Sequence, residues 1–201
     1  MEISSSMVKE LRTKTGAGMM DCKEALTAVE GDFEKAIDFL RKKGLSAATK
    51  RSSKAAKDGT VASYIHMGGR IGVMVEVNCE TDFVAKTDDF QTMAKDLAMH
   101  IAATNPLYVR CDEIPEDVLN REKEIYRSQL REEGKPEKIW DKIIEGKLKK
   151  YYEDVCLIDQ KFVKNQDITI NTLVSNMIAK TGENIIVRRF ARFQLGEEIN
   201  T

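Results

Sequence analysis

Apolar and polar side chains alternate along residues 61–77, a pattern that is typical of β-strands. The second half of this segment places its branched apolar residues on one face, at a spacing of two: Ile71, Val73, Val75 and Val77. Such alternation predicts a half-buried strand, and the first half, from Val61 to Met67, predicts another. Gly68 and Gly69 between them supply the two positive-φ positions of a tight turn. The pattern therefore predicts a β-hairpin.

A phenylalanine lies where the pattern changes from strand to helix, directly after this hairpin. Thr81 has a hydroxyl suited to cap a helix, and Asp82 places an acid beside the aromatic ring of Phe83. An aromatic residue at such a corner either fills the core of its own protein or contacts a partner. The pattern by itself leaves both interpretations open.

Residues 1–45 contain three short apolar repeats at helical spacing, each bounded by capping signals. The residues predicted to begin the three helices are Ser5 or Ser6, Asp21 and Asp32, and the glycines predicted to end them are Gly16, Gly31 and Gly44. Three helices of this length form a small bundle whose architecture resembles the ubiquitin-associated fold. A likeness of architecture does not imply ubiquitin binding.

Residues 46–58 lose the apolar face and carry four basic residues without an intervening acid: Lys50, Arg51, Lys54 and Lys57. We interpret this segment as a helical or mobile linker between a domain at 1–45 and a core at 59–201. A nucleic-acid patch is the alternative interpretation of the same charges.

The core beyond the corner begins with a helix whose buried stripe is Phe90, Ala94, Leu97 and Ile101. Asp88 and Gln91 have the spacing of a capping box, and Asn105-Pro106 is expected to end the helix. A charged helical pair follows, with Pro115 and Pro136 in the first turns of its helices. The predicted apolar seam of this pair is Val118, Ile125, Leu130, Ile139, Ile143 and Leu148.

The last third of the chain predicts a strand over Cys156–Val163, a helix over Asn171–Thr181 closed by Gly182, and a final strand over Ile185–Leu195. Strands and helices do not alternate in a βαβ rhythm. We therefore expect an α+β fold, in which helices and a helical hairpin pack a small antiparallel sheet.

The composition changes this picture little. The 33 acidic and 32 basic residues nearly cancel, so the chain lacks the overall basic field that nucleic-acid binding usually requires. No apolar run approaches the ~20 residues that cross a bilayer, and we see no leader, so we expect a cytoplasmic protein without membrane contact. The four cysteines form no CxxC pair and the two histidines are scattered, which predicts free thiols, no metal site and no cofactor.

Catalytic motifs are also missing from the sequence. Gly16-Ala17-Gly18 precedes a helix but is not part of a complete phosphate-binding loop, and we interpret it as a connecting turn. A small hydrolase using Cys79 or Cys22 is one alternative, although no histidine is locally placed to activate Cys79. A binding protein is the class that the residues favour.

An RNA-binding protein is the second alternative. It would use the basic linker and the final strand, in which arginines and aromatic residues interleave: Arg188, Arg189, Phe190, Arg192 and Phe193. An edge strand guarded by charges explains the same pattern without a ligand.

Several segments resemble one known family. Asn78–Lys86 at the corner and Thr15–Lys23 near the start are similar to the signature segments of elongation factor Ts. Tyr64–Val73 resembles that family's sheet hairpin, and Gly182–Ile185 with Arg188–Phe190 resembles its closing strand. The resemblance covers nearly the whole chain and fits the shorter bacterial form, which is expected to form a dimer that binds two GTPase molecules. Ala191 offers no thiol for a bridge, so we expect this dimer to be non-covalent.

The resemblance implies guanine-nucleotide exchange on elongation factor Tu, without direct contact to nucleic acid. The residues that match the contact disturbing the magnesium site of this GTPase are Thr81, Asp82, Phe83 and Val84. The residues that match other GTPase contacts are Arg12, Met19, Met20 and His66. For Met19 and Met20, packing inside the helical bundle is the alternative.

Overall fold

The computed structural model describes residues 3–198. Residues 1, 2 and 199–201, which belong to the two predicted domains, lie outside the described residues. The helices are α1 (Ser5–Thr15), α2 (Met19–Ala28), α3 (Phe33–Arg51), α4 (Asp82–Ala85), α5 (Asp88–Thr104), α6 (Glu116–Glu132), α7 (Trp140–Val155) and α8 (Ile170–Thr181). The strands are β1 (Asp58–Ile65), β2 (Ile71–Cys79), β3 (Lys161–Phe162), β4 (Asn165–Thr169) and β5 (Ile186–Gln194). Helices and antiparallel strands thus form the predicted α+β fold.

The first three helices pack around a small core that includes Leu11, Cys22 and Leu26, all fully buried. Asp32 caps α3 as predicted, because its carboxylate accepts a hydrogen bond from the Lys35 N–H at 3.1 Å. The cap of α1 is Ser4, whose Oγ accepts from the Met7 N–H at 3.3 Å. The prediction of Ser5 or Ser6 as this cap was therefore wrong by one or two residues, since both already belong to the helix.

Helix α3 does not end at Gly44, as we predicted, but continues to Arg51. Gly44 is buried where α3 crosses α8, and a Cβ at this position would lie 3.3 Å from Asn176 Oδ1. The glycine therefore permits close approach of two helices instead of ending one. As a result, about half of the predicted linker 46–58 is helical, and Ala48 packs against the core.

The three-stranded sheet has the order β1-β2-β5, with both strand pairs antiparallel. Gly68 and Gly69 turn the predicted hairpin with φ of 86° and 68°. The inner face of β2 is buried against α5, through Val73, Val75, Val77, Phe90, Leu97 and Ile101. The central strand and the predicted stripe of α5 are thus confirmed as the main core.

The outer face of this sheet carries apolar side chains that stay exposed in the described chain: Val61, Ile65, Met74 and Phe193. The strand register places Met74 opposite Ser63 on one side and Ala191 on the other. Strand β5 lies at the edge of the sheet, as expected for a strand guarded by charges.

The start of α5 differs from its predicted capping box. Thr87 is the cap, with its Oγ1 accepting from the Phe90 N–H at 3.4 Å, and Asp88 is the first helical residue. Gln91 does not reach back to the cap but donates through Nε2 to the Ala85 carbonyl at 2.7 Å. The predicted end at Asn105 is confirmed by its left-handed backbone.

Helices α6 and α7 form the predicted hairpin, and Pro115 and Pro136 lie just before the first helical turns instead of within them. Leu130 and Leu148 are buried in the seam, but Ile125 and Ile139 are exposed. A 3₁₀ turn over Glu137–Ile139 precedes α7 and changes the angular step per residue. The seam also includes Ile144 and the partly buried Tyr126 and Trp140, which were not among its predicted residues.

The strand predicted over Cys156–Val163 is largely absent. A 3₁₀ turn occupies Leu157–Asp159, and only Lys161–Phe162 pair with β4, which was not predicted. Gln160, Phe162 and Val163 of this segment contact the buried His100, whose Nε2 lies 3.0 Å from Gln160 Oε1. The apolar residues of this segment are thus buried largely by a packed turn and not by strand pairing.

Candidate functional site

The corner between β2 and α5 presents its aromatic side chain to solvent. Phe83 is 77% exposed, whereas its neighbours Val84 and Ala85 are each 6% exposed and belong to the core. Thr81 caps the four-residue helix α4 as expected, accepting from the Val84 N–H at 3.4 Å. The interpretation of Phe83 as a core residue was therefore wrong. Of the four predicted corner residues, Val84 supports the corner from below.

Asp82 forms an exposed ion pair one helical turn along the corner. Its Oδ2 lies 2.7 Å from Lys86 Nζ, and both side chains are largely in solvent. The hydrogen bond from Lys86 lowers the pKa of Asp82, and the same contact raises the pKa of Lys86. Asp82 is therefore charged at neutral pH. A partner can bind it by breaking its ion pair with Lys86, which is weak because it lies on the surface.

The corner is held in place by a carboxylate from a distant segment. Glu183, just after α8, accepts hydrogen bonds from the backbone N–H groups of Glu80 and Thr81, each at 3.1 Å, and from Thr81 Oγ1 at 2.7 Å. Glu80 in turn accepts from the Asn184 N–H at 2.7 Å. Sequence analysis missed Glu183 and Glu80, because no local pattern connects residues about a hundred positions apart.

Three further hydrogen bonds fix the backbone beneath Phe83. The Thr87 hydroxyl donates to the Val84 carbonyl at 2.8 Å, and the Gln91 amide donates to the Ala85 carbonyl. The Cys79 thiol donates to the Thr81 carbonyl at 3.1 Å. The corner is thus a fixed turn with a solvent-exposed ring, the arrangement by which a scaffold projects a side chain toward a partner.

The thiols do not support a hydrolase. Burial raises the pKa of Cys79 to about 11 and that of Cys156 to about 12, so both stay protonated at neutral pH. Cys22 is also buried, and its pKa is raised chiefly by burial. Cys111 is exposed, and all four cysteines are free. A nucleophile that remains a thiol beside no activating histidine is chemically weak.

A second predicted surface lies on the N-terminal bundle. Arg12 is exposed on α1, and Met19 and Met20 open α2 with exposed fractions of 37% and 75%. Packing inside the bundle is therefore wrong for Met20, while Met19 lies at the margin of the surface. Neither methionine belongs to the core of the three helices.

His66 lies at the opposite end of the hairpin from the corner. It is exposed just after β1, and its Nδ1 lies 3.1 Å from the Tyr64 hydroxyl. The register pairs Asp58 with Cys79 at one end of the strands and Ile65 with Gly72 at the other. Strands of this length span about 25 Å. His66 and the corner therefore lie on separate surfaces.

The charges of the final strand are engaged within the protein. Glu76 pairs with Arg189 at 2.7 Å and with Arg188 at 3.7 Å. Arg192 turns inward and donates to Gln194 Oε1 at 2.9 Å. Phe190 packs against the core, so Phe193 is the exposed aromatic residue of this strand. The interleaved pattern therefore presents one exposed aromatic ring, that of Phe193, and not two.

A cleft of about 550 Å³ lies between α3 and the β4–α8 segment, with Ile37, Ile168 and Asn176 among its lining residues. None of the eight predicted site residues lines this cleft, although Gly18 and Asp21, the chain neighbours of Met19 and Met20, do. Helices long and apolar enough to span a membrane do not occur within residues 3–198.

Comparison with known proteins gives one consistent result. The family described as Elongation factor TS matches residues 34–197. Elongation factor Ts of Syntrophus aciditrophicus is 79% identical over 199 residues, which cover 99% of each chain. The protein of the same name from Desulfosudis oleivorans is 62% identical, covering 97% of this chain and 98% of its own. That from Geotalea uraniireducens is 59% identical, covering 98% and 91%. The chain therefore belongs to the elongation factor Ts family.

Proposed function

We propose that this protein is a guanine-nucleotide exchange factor that binds elongation factor Tu with GDP, promotes GDP release and so allows GTP to bind. It makes and breaks no covalent bond and is not an enzyme in that sense. The observation that carries the proposal is the 77% exposed Phe83 on a fixed corner, in a chain of the elongation factor Ts family.

The proposed mechanism is a thermodynamic coupling between two ligands of the GTPase. A GTPase holds GDP through phosphate contacts and a magnesium ion that bridges phosphate oxygens to the protein. An exchange factor that binds best to the conformation in which these contacts are broken lowers the affinity of the GTPase for GDP. GDP lowers the affinity of the GTPase for the exchange factor by the same ratio. The binding energy of the factor is thereby used against the nucleotide.

Phe83 supplies the largest part of that energy at the corner. Inserted between helices near the magnesium site, its ring would exchange water for apolar contacts, and burial of such a side chain contributes ~1.5–3 kcal/mol. Asp82 adds a charged contact of smaller weight, because it is exposed and already paired with Lys86. Thr81 and Val84 act by fixing the corner, through the cap and through core packing.

The other two surfaces are proposed to recruit and orient the GTPase. Arg12, Met19 and Met20 present one contact on the N-terminal bundle, and His66 presents another at the far end of the hairpin. On this proposal residues 1–45 recruit the partner and residues 59–201 carry the exchange activity. The apolar contacts, above all Met20, are expected to set affinity more than the rate of release.

We further propose a homodimer formed through the outer face of the three-stranded sheet. Val61, Ile65, Met74 and Phe193 are all more than half exposed on that face. An open sheet face with several exposed apolar residues is unfavourable in water and is covered well by a second copy of itself. The protein is proposed to work in the cytoplasm, without membrane or direct nucleic-acid contact, since its buried thiols suit a reducing compartment.

A mixing experiment tests the proposed function. Elongation factor Tu is loaded with a fluorescent GDP analogue and mixed with excess unlabelled GDP, with and without this protein, in a stopped-flow instrument. The proposal predicts a release rate that rises with the concentration of the protein and then saturates. A release rate that does not depend on the protein would overturn the proposal.

A further inference from the structure

Helix α3 and the Phe83 corner are joined by a polar cluster at the end of the helix. We call this the Glu183 cluster; its members are Arg51, Lys54, Glu80, Thr81, Glu183 and Asn184. Arg51 Nη1 lies 3.6 Å from Glu80 Oε1. The Asn184 side-chain amide donates to the Lys54 carbonyl at 2.7 Å, and its backbone N–H donates to Glu80. Asn184 is only 3% exposed, so these bonds lie at the edge of the core.

Glu183 accepts three of the hydrogen bonds in this cluster. One of its carboxylate oxygens accepts from two successive backbone N–H groups, of Glu80 and Thr81, and the other accepts from the Thr81 hydroxyl. The same Thr81 hydroxyl caps α4 by accepting from the Val84 N–H. A single carboxylate therefore fixes both the backbone entering the corner and the rotamer of the residue that caps it.

The ring of Phe83 has no comparable support of its own. It is largely exposed, so packing does not determine the direction in which it points. That direction is set by the backbone of the corner, which depends on Thr81 and hence on Glu183. A turn whose backbone is ordered before binding loses less conformational entropy when its side chain inserts into a partner.

We propose that Glu183 is a positioning residue for nucleotide exchange, which holds Phe83 in its inserting direction through Thr81. The proposal rests on the exchange function proposed above. Through Glu80, Arg51 and Asn184 the same cluster also ties the corner to the end of α3, the helix that begins in the N-terminal bundle. The recruiting surface and the inserting ring are thereby held at a fixed separation.

The test compares Glu183→Ala and Glu183→Gln in the full chain, by stopped-flow GDP release from elongation factor Tu. Removing the carboxylate should lower the saturating release rate about tenfold or more, because hydrogen bonds to a charged group contribute on that order. The half-saturating concentration should change less, since recruitment uses other surfaces. Glu183→Gln keeps an acceptor oxygen for the two N–H groups and should restore most of the rate.

Glu113→Ala is the matched control. Its carboxylate also accepts a backbone hydrogen bond, from the Val109 N–H at 3.0 Å, but outside the corner. This variant should release GDP at the rate of the unchanged protein. Melting temperatures of all variants identify any general loss of folding.

A double variant separates positioning from a merely structural effect. If Glu183 acts through Phe83, Glu183→Ala should cause no further loss in a chain that already carries Phe83→Ala. Equal losses in both backgrounds, or an unchanged rate in Glu183→Ala, would overturn the inference. If the unchanged protein fails to accelerate release at all, it is the exchange function that fails, and the two failures are thus distinguishable.

Discussion

Thr81 donates two hydrogen bonds to Glu183, one from its hydroxyl at 2.7 Å and one from its backbone N–H at 3.1 Å. The two residues lie 102 positions apart in the chain. The residue that caps the corner helix is therefore fixed by the segment that follows α8. This relationship explains how an exposed phenylalanine can occupy a defined place on a surface turn.

Thiol reactivity should distinguish Cys111 from the other cysteines. A maleimide reagent at pH 7–8 should modify one thiol per folded chain, because Cys111 is exposed while Cys22, Cys79 and Cys156 are buried with raised pKa values. Mass spectrometry measures the extent of labelling. Cys111→Ser should abolish it, and exchange should be unaffected by the modification. Rapid labelling of Cys79 would contradict the structure of the corner.

Acid should destabilise the protein through His100. Its Nδ1 accepts from the Val163 N–H at 3.3 Å and its Nε2 faces Gln160 Oε1, so the buried ring is neutral. Burial lowers the pKa of His100 below its ordinary value of 6.5. Below that ordinary value the unfolded chain binds a proton that the folded chain does not, so the free energy of unfolding falls as the pH decreases.

Urea unfolding at several pH values between 7 and 5 measures this effect. His100→Gln should flatten the pH dependence of the free energy of unfolding. The difference between the wild-type and His100→Gln curves isolates the contribution of His100 from that of the carboxylates. Parallel curves for these two proteins would show that His100 is not the titrating group.

Charge on the outer sheet face should dissociate the proposed dimer. Met74 is 53% exposed on the central strand, so Met74→Glu should leave the monomer folded but place a carboxylate in the interface. Sedimentation velocity at micromolar concentration should show a dimer for the unchanged protein and a monomer for the variant. Leu107→Glu, at an exposed site elsewhere, is the control and should remain dimeric. Reducing agent should change nothing, and a dimer lost on reduction would count against a non-covalent interface.

The N-terminal surface should control affinity. Met20 is 75% exposed, so Met20→Ala should not affect folding. Loss of an apolar contact should raise the half-saturating concentration for exchange about tenfold, which corresponds to the lower end of the ~1.5–3 kcal/mol that burial of a methionine contributes. The saturating rate should stay constant. Ile125→Ala, also exposed, should change neither quantity, and a lowered saturating rate in Met20→Ala would assign this surface to the release step itself.

Local signals predicted much of the fold. The Gly68-Gly69 turn, the Asp32 cap and the apolar stripe from Phe90 to Ile101 depend on neighbouring residues, and all three are found where expected. Such features are fixed by backbone sterics and by the period of the element, which the sequence displays directly. The exposed position of Phe83 did not follow, because core and surface aromatics at a corner have the same local pattern.

The errors have a common physical cause in tertiary contacts. Gly44 has the local pattern of a helix end, but its role is to permit close packing of α8, which lies more than a hundred positions away in the chain. Part of the segment after Cys156 packs around His100 instead of pairing as a strand. Glu183 carries no local signal of its contact with Thr81. The local sequence therefore indicated the corner residues themselves but not the distant residues that hold the corner in place.

The central claim is that Phe83 drives GDP release, and Phe83→Ala tests it most directly. Stopped-flow release of fluorescent GDP from elongation factor Tu and thermal melting are measured on the same preparation, with Leu107→Ala as an exposed apolar control. Because the ring is 77% exposed, the melting temperature should hardly change. Release should slow by one to two orders of magnitude, at roughly 1.4 kcal/mol per factor of ten, while the control keeps the normal rate. A normal release rate in a folded Phe83→Ala protein would contradict the account.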